Sequence, residues 1–220
     1  LGLPENEDIP AAIKTAMELV EQYAPELSGS LPKDEYLELT PTDETTTARD
    51  YSLAKELLKI LEGIPADISG DVFGKVYEYF LGKFALKEGQ GGGEFFTPTS
   101  VVQLMVEMIE PYGGTILDPA CGSGGMFVQS RDFVARRREE YKDTQEHELI
   151  VSGVEKDKET VKVARMNMFL NGLRNEITWG NSYYSDPYDC YGKFDYVMAN
   201  PPFNVDDVSY DEVAKQRRFN

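Results

Sequence analysis

The segment from Asp118 to Gly125 (DPACGSGG) combines an acid with three glycines, directly after the apolar run GTILD at 114–118. Glycines in a turn that follows a strand let the backbone approach a ligand without an obstructing Cβ. An acid at the head of the turn repels phosphate and attracts an ammonium group, and the turn lacks the Lys-Ser/Thr pair of a P-loop. The segment favours a ligand with an amino group; a tight strand-to-helix turn without a ligand is the plainer alternative.

A second acid, Glu155, ends the apolar run ELIVSGVE at 148–155. A carboxylate at the end of a second parallel strand can accept hydrogen bonds from both hydroxyls of a ribose, as in dinucleotide-binding folds. The alternative is a solvated carboxylate at a strand end. A ligand with a ribose, an amino group and no phosphate matches S-adenosylmethionine.

A third segment runs from FDYVMA at 194–199 into Asn200, Pro201, Pro202 and Phe203. The two prolines stiffen the loop, because each fixes φ and neither donates a backbone hydrogen bond. The side-chain carbonyl of Asn200 and the backbone carbonyl of Pro201 form a pair of acceptors that suits an amino group. Phe203 offers a flat face on which a base can stack. The plainer alternative is a turn with a buried phenylalanine.

The elements that must position these residues follow from periodicity. Beyond a glycine run at 89–93, we predict strands over 114–118, 148–155, 176–179 and 194–199, with helices over 124–140 and 158–170. This alternation predicts a doubly wound parallel α/β sheet, whose carboxyl edge binds ligands. Helical spacing over 9–27, 45–61 and 71–86 predicts an all-helical domain before it. We therefore predict domains at 1–90 and 91–220, the second truncated after its fourth strand.

The composition limits the classes of function. There are 39 acidic against 22 basic side chains, a net charge of −17, so charge that binds DNA phosphates must come largely from elsewhere. We expect no membrane span, because no apolar run approaches about 18 residues. Two cysteines form no disulfide framework, which favours a cytoplasmic protein. A single histidine with two cysteines argues against a zinc site, and we predict no metal.

Four segments in order carry a family resemblance: EFFTP at 94–98, DPACGSGG at 118–125, GVE at 153–155 and ANPPF at 199–203. Together they resemble the S-adenosylmethionine-dependent N6-adenine DNA methyltransferases, most closely the modification (methyltransferase) subunit of type I restriction-modification systems. The segment at 71–85 also resembles that family's N-terminal helical domain. The resemblance implies a helical domain followed by a Rossmann-like methyltransferase domain.

The resemblance also implies roles for the residues of the cofactor site. Residues 95–99 are expected to form a wall over the methionine end of the cofactor, with Thr97 near its carboxylate. Asp118 is expected to bind the ammonium group and Glu155 the ribose. Further expected cofactor contacts are Glu94, Phe95, Phe96, Pro98, Thr99, Ala120, Gly122, Ser123, Gly124 and Gly125. Asn181 stands where family members often carry an acid near the cofactor's adenine; a turn asparagine is the alternative.

The expected substrate is the exocyclic amine of an adenine flipped out of DNA. Asn200 and Pro201 would accept its hydrogens, Pro202 would stiffen the loop and Phe203 would stack on the base. The resemblance further implies DNA, a specificity subunit and a restriction subunit as partners. Three alternatives remain: an N-methyltransferase of RNA guanine or a protein glutamine amide, a nucleotide-dependent oxidoreductase, and a non-catalytic scaffold subunit.

Overall fold

The computed structural model describes most of the chain in two compact units, Leu1–Ser69 and Gly70–Asn220. The described residues are 8–35, 50–62, 72, 74–77, 79, 97–137, 148–202, 205–206 and 208–219. The first unit contains helices α1 (Ile9–Tyr23) and α2 (Ser52–Glu62), with a short 3-10 turn at Pro25–Leu27. Helix α1 begins where Asp8 Oδ1 accepts a hydrogen bond from Ala11 N, a standard N-cap. It ends before Pro25, because a residue that precedes proline disfavours the helical conformation.

The predicted helix at 71–86 is helical at residues 72, 74–77 and 79, which belong to the second unit. Tyr77 donates a hydrogen bond to Val163 O at 3.3 Å. A Cβ added at Gly74 would lie 2.6 Å from Asn171 Oδ1, so this segment packs closely against residues 163–171 of the same unit. The glycine run at 89–93 and the predicted domain boundary at residue 90 lie outside the described residues, and that boundary stays a prediction.

The second unit is built around a parallel sheet of four strands in the order β3-β2-β1-β4, which confirms the predicted α/β class. Its elements, in chain order, are α3 (Thr99–Ile109), β1 (Gly114–Asp118), α4 (Gly125–Arg137), β2 (Leu149–Glu155), α5 (Lys158–Leu170), β3 (Arg174–Trp179), β4 (Tyr196–Val197) and α6 (Tyr210–Val213). The chain moves outward through β2 and β3 and then returns to the other side of β1. Open α/β sheets bind ligands at such a reversal.

Apolar side chains from both faces of the sheet form one core. Strands β1 and β2 are nearly continuous apolar runs because helices cover both faces of a parallel sheet. The largest fully buried apolar members of the core are Ile116, Phe127, Phe133, Met168 and Met198, followed by Val106, Val128 and Val151. The core therefore fixes β1, β2 and the residue that follows β4 against helices α4 and α5.

The connection from β3 to β4, residues 180–195, contains neither a helix nor a strand. Tyr188 ties it to the sheet, since its hydroxyl lies 2.9 Å from Gly153 O and 2.6 Å from Glu176 O. Strand β4 is shorter than predicted, two residues instead of six. Hydrogen bonds from Asp195 N to Thr115 O and from Met198 N to Leu117 O continue the pairing on either side.

No helix within the described ranges has the length and apolar character needed to cross a membrane.

Candidate active site

The glycine turn leaves β1 at Asp118 and leads into α4. Ala120 N donates to Asp118 Oδ1 at 2.9 Å, and Gly124 N donates to Cys121 O at 2.9 Å. Gly122 and Gly124 have φ of +54° and +82°, a region that favours glycine. A Cβ at Gly124 would also lie 2.5 Å from Met168 Cε. At Gly122 the backbone is half-buried and a Cβ would meet nothing within 4 Å, so the turn leaves room for a ligand there.

The same turn is fastened to β2 through Cys121. Its N–H donates to Val154 O at 3.1 Å, and its side chain packs over Gly153. A Cβ at Gly153 would lie 2.7 Å from Cys121 Sγ, which explains the glycine in the middle of a buried strand. Burial, reinforced by the charges of Asp118 and Glu155, raises the pKa of the Cys121 thiol well above its usual value. Cys121 is therefore a neutral packing residue and not a nucleophile.

Asp118 is almost fully buried at the carboxyl end of β1, with 1% of its surface exposed. Burial raises the pKa of this carboxyl from 3.8 to about 7; the hydrogen bond from Ala120 N lowers it, and the Glu155 charge raises it. A buried carboxylate of this kind is stabilised by a cation placed beside it. The position fits the predicted contact with an ammonium group.

Glu155 joins the end of β2 to the glycine turn. Its Oε2 accepts from Gly122 N at 3.0 Å, and its Oε1 accepts from Asp157 N at 2.8 Å. Each carboxylate oxygen has a second lone pair for a further donor. Glu155 is half-buried, so its free lone pairs can serve the two hydroxyls of a ribose.

The loop after β4 meets the segment before α3. Asn200 Nδ2 donates to Thr97 Oγ1 at 2.9 Å, and both side chains are half-buried. Pro98 is the N-cap of α3, which confirms the predicted helix start. The first N–H groups of a helix have no acceptor within it, which suits an anion such as a carboxylate. The hydrogen bond thus joins Thr97, a member of the expected cofactor wall, to Asn200 in the expected acceptor loop.

Comparison with known proteins identifies the family. Residues 68–220 match the family model of N-6 DNA methylases, more than two thirds of the chain. The chain belongs to this family. It is 38% identical over 194 residues (87% of this chain) to the type I restriction enzyme MjaIX methylase subunit of Methanocaldococcus jannaschii. It is 42% identical over 150 residues (68% of this chain) to the HindI methylase subunit of Haemophilus influenzae.

Solved structures agree with the family. The methyltransferase subunit of a type I restriction-modification system from Streptococcus thermophilus superposes with a TM-score of 0.57 at 28% identity. That similarity covers 68% of this chain and 32% of the other. The chain likewise spans 32% of the MjaIX subunit and 33% of the HindI subunit, about a third of each relative.

The remaining predicted residues of this N-6 DNA methylase have mixed outcomes. Asn181 Oδ1 accepts from Tyr183 N at 3.0 Å and caps the turn after β3, so its part in cofactor binding stays a prediction. Pro201 and Pro202 are exposed after β4, as expected for a projecting loop. Thr99 is exposed in the first turn of α3. Glu94, Phe95, Phe96 and Phe203 lie outside the described residues.

A buried asparagine pair behind the glycine turn was not predicted. Asn167 Nδ2 donates to Ser123 O at 2.8 Å, and Asn171 Nδ2 donates to Asn167 Oδ1 at 3.0 Å. A signal was available, because helical spacing puts Asn167 on the face of α5 that Val161 and Ala164 bury. A polar residue on the apolar face of a helix needs a hydrogen-bonded partner. In this chain that partner is the backbone carbonyl of Ser123 in the glycine turn.

The described part of the N-6 DNA methylase chain contains no group of three or more His, Cys, Asp or Glu side chains arranged to hold a metal ion. Its polar groups instead divide into two sets. Asp118, Glu155 and the glycine turn suit a ribose and an ammonium group, while Thr97 and Asn200 offer neutral hydrogen-bonding groups. The arrangement suits binding and orientation of two ligands better than nucleophilic catalysis.

Proposed function

We propose that this chain forms the catalytic part of an enzyme that transfers a methyl group from S-adenosylmethionine to the N6 amine of adenine in DNA. We further infer that it acts as the methyltransferase subunit of a type I restriction-modification complex in the cytoplasm. The observation that carries the proposal is the convergence at one sheet edge of Asp118, Glu155 and the Asn200 loop. Membership of the N-6 DNA methylase family and similarity to type I methylase subunits support it.

The cofactor side of the site fits S-adenosylmethionine chemically. Asp118 would hold its ammonium group, Glu155 its ribose hydroxyls, and the backbone at Gly122 its methionine chain. When bound, the cofactor supplies an electrophilic methyl group on a sulfonium. The acid at the head of the turn counts against the pyrophosphate of a nicotinamide cofactor, so the oxidoreductase alternative is disfavoured.

The acceptor side would act by orientation. The lone pair of the adenine amine is delocalised into the ring, which makes the amine a poor nucleophile. Asn200 Oδ1 and Pro201 O would each accept a hydrogen bond from one N–H of the amine. These bonds would hold the amine in a geometry that localises the lone pair. Phe203 would stack on the flipped base. The chain's contribution to catalysis is then positioning and electrostatics, without a covalent intermediate.

Partners follow from the same proposal. A site that holds one flipped base does not select a DNA sequence, and the net charge of −17 leaves little basic surface for phosphates. A specificity subunit would supply sequence recognition, and a restriction subunit would join it for cleavage. The similarity to type I methylase subunits supports this assembly.

The test is product analysis with the full-length protein and its specificity subunit. Labelled S-adenosylmethionine is supplied with duplex DNA, and the digested DNA is examined for N6-methyladenine. We expect Asn200→Ala to reduce transfer at least 100-fold, while the Kd for the cofactor changes less than about threefold. Asn175→Ala is the matched control, because Asn175 lies at the opposite end of β3 from the site.

Three results would contradict the proposal. Label found in RNA or in a protein glutamine, with none in DNA, would favour the alternative N-methyltransferase. Full transfer by the Asn200→Ala variant would remove the acceptor loop from the chemistry. Absence of any transfer by a folded wild-type assembly that binds the cofactor would favour the scaffold alternative.

A further inference from the structure

The hydrogen bond between Asn200 and Thr97 joins side chains that stand 103 residues apart in the sequence. An asparagine amide has a donor end and an acceptor end, and a half-turn of the terminal bond exchanges them. If Asn200 is to accept a hydrogen bond from an amine, its Oδ1 must face that amine. The opposite orientation would present two N–H donors to the amine hydrogens and repel them.

Thr97 is well placed to fix that orientation. Its hydroxyl oxygen accepts from Asn200 Nδ2 at 2.9 Å, so in this structure the nitrogen end of the amide faces Thr97 and Oδ1 lies on the other side. We propose that Thr97 is a positioning residue, whose hydroxyl presents Asn200 Oδ1 to the amine that receives the methyl group. This inference rests on the proposed function and gives Thr97 a role beyond the predicted contact with the cofactor's carboxylate.

Both ends of this hydrogen bond are anchored to the core. Thr97 precedes Pro98, which restricts its backbone to extended conformations. The helix that follows, α3, buries Val102 and Val106 in the core. On the other side, Met198 lies two residues before Asn200. Its side chain is buried, and its N–H donates to Leu117 O. A contact between two anchored segments holds the amide group in place, with its nitrogen end on Thr97 and Oδ1 turned away from it.

The experiment compares Thr97→Val with Thr97→Ser in the full-length protein with its specificity subunit. Valine keeps the shape and removes the hydroxyl, whereas serine keeps the hydroxyl and removes the methyl group. We expect the valine variant to lose roughly 5- to 12-fold in kcat, the upper part of the effect of one neutral hydrogen bond on a rate. The Kd for S-adenosylmethionine should stay within about threefold, and the serine variant should retain at least half of the wild-type kcat.

Other outcomes overturn the inference. If Thr97→Val raises the cofactor Kd and leaves kcat at saturation unchanged, Thr97 serves the cofactor alone. If the valine and serine variants lose kcat equally, or neither does, the hydroxyl does not position the amide. Thr97→Ala against Thr97→Ser gives the same comparison should the valine variant fail to fold. Product analysis of the wild type separates these results from a failure of the proposed function, which would appear as absence of N6-methyladenine before any variant is compared.

Discussion

In the ligand-free protein, Asp118 is buried where its ionised carboxylate lowers the stability of the fold. Its side chain is almost fully buried, and its pKa of about 7 means that a large part of the molecules carry it protonated near neutral pH. A cationic ligand would stabilise the ionised form and pull the proton off. The residue therefore costs stability without a ligand and would contribute affinity for a cationic one, a trade-off common at functional sites.

Replacing this acid tests the trade-off. Between about pH 4 and pH 7 the folded chain holds the Asp118 proton that the unfolded chain has lost, so stability falls as pH rises through this range and the deficit is constant above it. We expect Asp118→Asn to raise the stability of the ligand-free protein at pH 8, and to raise it less at pH 5. The gain is on the order of a few kcal/mol at most. Thermal unfolding at the two pH values measures it.

The same variant should bind S-adenosylmethionine at least 100-fold more weakly, because asparagine can still accept from Ala120 N but carries no charge for an ammonium group. Calorimetric titration at pH 8 measures the affinity. A variant that is more stable yet binds the cofactor as tightly as wild type would contradict the ammonium contact. A variant less stable than wild type at pH 8 would contradict the burial cost.

Single residues differed in how far the sequence could predict them. The placement of Asp118, Glu155 and Asn200 at one edge of the sheet could be predicted, because the first two end strands, the third follows a strand, and parallel strands end at the same edge. The contact between Thr97 and Asn200 could not, since no local pattern relates positions 103 residues apart. The turn role of Asn181 was foreseen only as one of two alternatives.

At the scale of elements, α5 supports the cofactor turn as well as the sheet. Asn167 donates to Ser123 O, and the same asparagine accepts from Asn171. Loss of the Asn167 side chain leaves both groups without these partners in a buried place. We expect Asn167→Ala to cost about 1–3 kcal/mol of stability and to weaken cofactor binding by about tenfold, because the turn loses its support.

Asn171→Ala is the matched control for this prediction. It disturbs the same buried pair but leaves the hydrogen bond between Asn167 and Ser123 in place. We expect a similar loss of stability and nearly unchanged cofactor affinity. Thermal unfolding measures the stability. The titration with S-adenosylmethionine is followed by the fluorescence of Trp179, which is the only tryptophan and pairs with Glu155 in the sheet. Equal losses of affinity in the two variants would mean that α5 acts on the turn through general stability.

The elements themselves were predicted with uneven accuracy. The bounds of β1 and α5 agree with the prediction, because the apolar pattern of each element is unambiguous. In addition, Asp157 is the N-cap that marks the start of α5. Strand β4 is four residues shorter than predicted. Its apolar letters continue past the paired residues, and apolar pattern alone does not show where hydrogen-bonded pairing stops.

The whole molecule is strongly acidic, and three arginines of α4 form ion pairs with acidic side chains. On α4, Arg136 Nη2 and Arg137 Nη2 contact Glu107 carboxylate oxygens at 2.9 and 2.8 Å. Arg131 contacts Asp132 and donates to Asn171 O. These side chains join α4 to its neighbours, so this helix is a poor surface for phosphates despite its basic sequence.

We therefore expect the 220-residue chain alone to bind duplex DNA with a Kd weaker than about 100 µM at physiological salt. Fluorescence anisotropy with a labelled duplex measures it. The complete assembly with its specificity subunit should bind far more tightly, and Arg136→Ala should leave that affinity within about twofold. Micromolar binding by the chain alone, weakened by added salt, would contradict this account of where the DNA-binding charge lies.

The packing of Cys121 over Gly153 has a practical consequence. An alkylating reagent reaches this sulfur only when the segment above β2 lifts away, and the raised pKa keeps the thiol unreactive until then. The Cys190→Ser variant removes the second thiol. In that variant the rate of Cys121 labelling therefore reports how often the segment opens. Cys121 is thus a built-in probe of local unfolding at the place where the cofactor is proposed to bind.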